Sequence, residues 1–286
     1  MKKISLLIFV SIILFIGSYA QNTKPVKVTT NVKSKKHLSS SILLWMRSDK
    51  PRQAGMDRWK GPHAQIIAAN KGLWEYRQIH FTENNMGLWP AINGVQTSIP
   101  QNRKIDGVAD VTLKNLLSIS KGKEPNKKAS ADEINLFKRT ILYAAFAGNS
   151  HWYNVAELNT KMEASAMVFF RKKDGVSKKA FKKFINKELT PTLANMGMLK
   201  ELRNKTYNPW KQKQWNTPNV LHDNDTADQF QASLMLGFTN KSDMEKFFVS
   251  DAVKNLSSRI AMFCDAVNAY EIFETITFVQ SGIKIK

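Results

Sequence analysis

The chain has 286 residues, with 43 Lys and Arg against 23 Asp and Glu, giving a formal net charge of +20. That length permits one large domain or two small ones, and a single cysteine excludes an internal disulfide. The charge favours anionic partners. The lysines are nevertheless spread over a polar lead-in and the solvent side of helices, and no nucleic-acid motif accompanies them, so no nucleic-acid partner is expected.

In chain order, Lys2 and Lys3 precede an apolar run, Ile4 to Ile16, and Ser18-Tyr19-Ala20 offers small residues at a cleavage site. Residues 1–20 therefore read as a signal peptide, which makes the mature chain an exported one, periplasmic or extracellular. The run is short for a membrane span, so no stable membrane insertion is expected after leader removal, with an uncleaved anchor as the alternative. Residues 21–40 are polar, lysine-rich and contain Pro25, as suits a flexible lead-in.

The first unit is expected over residues 41–160. Ser41–Arg47 reads as a strand. Gln53–Asn70 reads as a helix interrupted at Gly61-Pro62, with Met56, Trp59, His63, Ile66, Ile67, Asn70 and Leu73 on one stripe. Trp74–Phe81 is an aromatic-rich strand that places Tyr76 and His80 on one face. A loop over 82–106 carries Trp89 between Gly87 and Pro90. Val108–Leu113 is a third strand, Ala131–Ala147 a helix capped by Ser130, and Trp152–Leu158 a fourth strand.

The second unit, residues 161–286, repeats that order. Ala166–Arg171 is a strand and Ser177–Met196 a helix. Leu199–Tyr207 is a strand, followed by a loop over 208–228 with Trp210 and Trp215. Phe230–Phe238 is a strand, Ser242–Val267 a long helix and Ala269–Val279 an alternating strand. Tyr270, Ile272, Glu274, Ile276 and Phe278 should share one face of it. Each unit is thus βαββαβ, with its long loop at the same place. The fold class is α+β, two tandem ferredoxin-like units that build an α+β barrel within one chain. Two unrelated halves are the alternative.

Four segments, Leu44-Trp45-Met46-Arg47, Trp59-x-x-x-His63, Tyr76-x-x-x-His80 and Asp106-Gly107-Val108-Ala109-Asp110, together resemble the EthD-type group of dimeric α+β barrel proteins. The match covers residues 41–158; the second unit fits more loosely, with Glu188-Leu189 in place of His63 and no Asp-Gly signal. The resemblance implies two four-stranded sheets, usually from two chains, with pockets between sheet and helices. It implies small, often aromatic ligands and no obligatory cofactor.

His63 is the candidate catalytic residue. On an apolar stripe its imidazole is expected to be neutral and able to carry a proton in decarboxylation, dehydration or isomerisation. The same ring also reads as a core histidine satisfied by one hydrogen bond. Trp45, Trp59, Tyr76, His80 and Trp89 are the candidate ligand-binding residues, either as aromatic pocket walls or as ordinary core. Trp89 reads as a lid or as a pin for its loop. The five histidines show no metal-ligand spacing, and Asp223-Asn224-Asp225 lacks the rest of a calcium loop, so no metal is expected. The function these features imply is binding of a small aromatic or hydrophobic compound, with cofactor-free acid–base chemistry at His63. A monomer with an intramolecular barrel and a homo-oligomer are both compatible with the chain. The rival reading is a non-catalytic protein that binds haem or an acidic envelope component.

Overall fold

The computed structural model describes residues 24–157 and 160–286, so the expected signal peptide lies outside the described residues. The first half contains β1 (Ser34–Met46), β2 (Leu73–Phe81), β3 (Gly107–Leu113) and β4 (Phe137–Tyr153). The second contains β5 (Ala164–Lys172), β6 (Glu201–Thr206), β7 (Ala232–Phe238) and β8 (Cys264–Gln280), with a short β9 (Ile283–Lys284) on its edge. Neighbouring strands run β2-β3-β1-β4 in the first half and β6-β7-β5-β8 in the second. β4 pairs with β6 and β2 with β8, all antiparallel, so eight strands close into a barrel within one chain.

Helices cover the outside of the barrel. α1 (Arg52–Arg58) and α2 (Ala64–Ala68) are joined by a widened turn, Trp59–His63, where Gly61 leaves helical geometry (φ −94°, ψ −107°) ahead of Pro62. This is the interruption expected at Gly61-Pro62. α3 (Ser118–Lys121) and α4 (Lys123–Glu133) follow β3. In the second half, Ser177 caps α5 (Lys178–Phe184), accepting from the Ala180 amide at 3.1 Å. A widened turn at Ile185–Leu189 leads into α6 (Thr190–Ala194). Pro191 has no N–H to continue the ladder, and Thr190 donates both its amide and its Oγ1, the latter at 2.7 Å, to the Ile185 carbonyl. Among the described residues no helix is long and apolar enough to cross a membrane.

Four expectations are corrected. β1 starts at Ser34 rather than Ser41, so part of the expected flexible lead-in is strand, paired with β4 from Ser34↔Tyr153 onward. The expected helix over Ala131–Ala147 is instead the end of α4 followed by β4. Ala144 and Ala145 favour helix intrinsically, but the ladder to β1 overrides them, with Ile141 and Tyr143 pointing into the barrel. The expected helix over Ser242–Val267 is three short ones, α7 (Lys241–Val249), α8 (Asp251–Lys254) and α9 (Ser257–Phe263), and Val267 lies on β8. Asn240 caps α7, and extended Ser250 ends it and caps α8. Finally, β8 does not keep one face. A bulge at exposed Phe273 reverses its phase, so Tyr270 and Ile272 face the lumen while Ile276 and Phe278 face the helices.

Strand alternation sorts the core into three regions. Leu43, Trp45, Ile79, Val108, Phe169 and Tyr270 fill the lumen. Ile42, Leu44, Trp59, Tyr76 and Phe137 pack beneath the first half's helices, and Val168, Phe170, Phe184 and Leu234 beneath those of the second. Beyond its apolar layer the lumen holds ion pairs that bridge the halves. Arg77 of β2 reaches Glu201 of β6 at 2.8 Å, Arg203 holds Glu75, and Lys205 pairs with Asp110 of β3. Buried networks of this kind fix registry more than they add stability.

Gly107 on β3 sits against the Trp59 ring: a Cβ there would lie 2.6 Å from both the Ile79 carbonyl oxygen and the ring. Gly107→Ala is expected to cost about 2 kcal/mol by overpacking, lowering Tm by about 4–8 °C. Thermal melts followed by circular dichroism check this, and an unchanged Tm contradicts the packing.

Candidate functional site

A cavity of about 320 Å³ lies between the outer face of the first half's strands and α2, α3 and α4. Its walls are mainly apolar, and its titratable groups are His63, Glu133 and the Tyr76 phenol. Among the described residues no Lys or Arg lines it.

His63 is buried at the end of the widened turn, edge-on to Phe137 at 5.8 Å. Its Nδ1 lies 3.1 Å from Asp132 Oδ2, and Asp132 is held in turn by the Arg58 guanidinium. Burial lowers the His63 pKa, opposed by the Asp132 hydrogen bond, so the ring is neutral near pH 7. Burial works against the Asp132 charge, but the hydrogen bonds from Arg58 and His63 outweigh it and hold the carboxyl below its usual value. The neutral ring therefore donates from Nδ1 to an ionised Asp132. Nε2, with no hydrogen bond among the described residues, carries the basic lone pair.

Glu133, the next residue, is 2 % exposed. Burial pushes its carboxyl up to about 7 against hydrogen bonds from Thr217 and Trp215. Thr217 Oγ1 donates to it at 2.6 Å and Trp215 Nε1 at 3.1 Å. Both donors come from the loop after β6, so a segment of the second half covers the first half's cavity. The mirror-image contact also exists. Trp89, on the loop after β2, packs into the second half's core against Phe170 and Phe248.

The structure thus brings His63, Trp59 and Tyr76 together at the cavity. His80 stands one layer back, stacked on Trp59 at 4.4 Å and bonded through Nε2 to Gln78, with burial lowering its pKa to about 4. Gln78 also donates to the Trp59 carbonyl and the Tyr76 hydroxyl, fixing the widened turn to β2. Trp45 is apart from the cavity, on the lumen face of β1 with Arg139 over its ring. Trp89 is apart from it as well, a pin rather than a lid. Asp132 and Glu133 carry no usable sequence signal, because they end α4 and do not open the helix expected over Ala131–Ala147. Trp215 stands out in its loop, but loop position does not show which half it covers.

Replacing Glu133 isolates its titration. The native carboxyl keeps a proton that an unfolded chain, with an ordinary value of 4.5, releases. Its contribution to stability is full below 4.5 and is lost as pH rises to 7. Relative to Glu133→Gln, the wild type should lose up to about 3 kcal/mol of unfolding free energy between pH 4.5 and 7.5. Denaturant titrations at the two pH values measure it; parallel curves contradict the assignment.

No protein-family model matches the sequence, and no curated protein is detectably similar. Among solved structures, an anthrone oxidase-like protein is similar at 10% identity, covering 89% of this chain and 98% of its own, with TM-score 0.53. A "putative monooxygenase" from Lactobacillus acidophilus NCFM is similar at 9% identity, covering 88% and 100%, with TM-score 0.47. A mutant chlorite dismutase from Candidatus Nitrospira defluvii is similar at 7% identity, covering 84% and 93%, with TM-score 0.42. At 10% identity the likeness to the anthrone oxidase-like protein shows the fold alone, an α+β barrel.

Proposed function

We propose that this chain is an exported EthD-type protein whose two halves are tandem ferredoxin-like units. In this reading it binds a small, uncharged aromatic or hydrophobic compound in the His63 cavity and moves a proton on it without a cofactor. The observation that carries the reading is a neutral imidazole, oriented by an ionised carboxylate, at the wall of an apolar cavity. That arrangement supplies a positioned general base in a water-poor site. Glu133, protonated through much of the range below pH 7, supplies a proton donor on the same cavity.

The charge of the ligand follows from the lining. In a chain of net charge +20, the cavity has no Lys or Arg among the described residues to meet a carboxylate or phosphate. An anionic ligand would be desolvated there without compensation. Haem draws no support from this cavity for the same reason, since its two propionates would find no cation.

The test uses 2-tetralone, an uncharged aromatic ketone with an exchangeable proton beside its carbonyl. Wild-type protein should accelerate its hydrogen–deuterium exchange, read by NMR. His63→Ala should lose about 10²–10⁴-fold of that rate while retaining tetralone binding. Because burial lowers the His63 pKa, the rate should fall on the acid side only below 6.5, and because Glu133 gives up its proton at about 7 it should fall again above that pH. Binding without any exchange would favour the non-catalytic reading, and absence of both would remove the proposal.

A further inference from the structure

We infer that the second half carries its own binding cleft, distinct from the His63 cavity, and that it takes a small aromatic anion. The cleft, about 450 Å³, lies where α5 faces the ends of β5 and β6 and the segments 207–210 and 226–231. Three amines line it, Lys172, Lys178 and Lys182, and so do four aromatic rings, Phe181, Tyr207, Trp210 and Phe230. No carboxylate lines it among the described residues.

Lysines on an exposed helix face are ordinarily solvated and carry no message. Here one of the heads, that of Lys182, reaches across the cleft. The Lys182 ammonium donates to Oδ1 of Asn149, a buried amide on the opposite wall, and Lys172 Nζ donates to the Lys173 carbonyl at 2.8 Å. Each spends one of three N–H donors on a neutral oxygen, and Lys178 has no partner among the described residues. Asp228, beside the cleft in sequence, is drawn away by Arg103 at 3.3 Å and Asn102 at 3.1 Å. The positive charge of the cleft is therefore uncompensated among the described residues.

The aromatic surface is also fixed in place. Tyr207 stacks on Tyr143 at 4.8 Å, and its hydroxyl donates to Ser233 at 2.7 Å. Phe230 stacks on Phe169 at 4.9 Å. A ring ligand finds preformed apolar walls, and its carboxylate, sulfonate or phosphate finds ammonium groups. The two sites thus differ in sign: among the described residues the first-half cavity is lined by no Lys or Arg, and this cleft by no carboxylate.

The experiment titrates the full chain with 1-anilinonaphthalene-8-sulfonate, and with uncharged N-phenyl-1-naphthylamine as control, following probe fluorescence. The sulfonate should bind, and its affinity should fall tenfold or more in Lys178→Glu/Lys182→Glu. Both residues are exposed, so a thermal melt checks that the variant stays folded. Raising NaCl should weaken the wild type in the same direction without any substitution. Ile67→Trp, which fills the first-half cavity, should leave sulfonate binding unchanged and remove that of the uncharged probe. Absence of sulfonate binding, indifference to charge reversal and salt, or its loss in Ile67→Trp would each overturn the assignment.

Discussion

The closure of the barrel is the constraint from which the rest follows. Two seams join the halves, Ser150–Tyr153 against Leu202–Lys205 and Tyr76–Phe81 against Ile272–Val279. Once closed, every strand has a lumen face and a helix face, and a shift of one residue would exchange them. Tyr76, Gln78 and His80 face the helices only because Arg77, Ile79 and Phe81 face the lumen. The bridging ion pairs Arg77–Glu201 and Arg203–Glu75 lie beside these seams and penalise any slip, since each would leave a buried charge unpaired. The bulge at Phe273 belongs to the same constraint. It lets β8 fill the lumen beside β5 and still present Ile276 and Phe278 to Tyr76.

The residues behind the EthD-type resemblance have packing roles that can be stated individually. Asp106 accepts from the Met46 amide at 2.7 Å and from Arg52, tying the end of β1 to α1. Gly107 leaves room for the Trp59 ring, and Asp110 anchors Lys205 in the lumen. The Gly61-Pro62 interruption sets His63 at the cavity wall, within reach of Asp132. These segments hold a helix at a fixed distance from a sheet, and the cavity is what that distance leaves.

The halves differ because they exchange loops unequally. The loop after β2 drives Trp89 between Phe170 and Phe248, where the second half's core is filled. The loop after β6 only covers the first half, with Trp215 half-buried on Glu133. At the position where the resemblance aligns His63, the second half has Glu188, closed off by Arg259 and the Val26 amide. The same element order in each half, β-α-β-β-α-β, therefore leaves a mainly apolar cavity in the first half and a lysine-lined cleft in the second.

Much of this was legible in the chain. Element order, the Gly61-Pro62 break and the placement of Trp59, His63 and Tyr76 on one surface follow from local pattern, because steric and hydrogen-bonding rules act over a few residues. The strand identity of Phe137–Ala147 did not, since its alanines favour helix until β1 is beside them. Nor did Asp132 and Glu133, whose meaning depends on a histidine 69 residues away and a loop from the other half. The sequence by itself determined which segments are strands or helices wherever period and caps agree, and that a histidine would sit on an apolar stripe. Only the tertiary structure decided which face of each strand became lumen, cavity or seam, because that choice belongs to the register of pairing between distant segments.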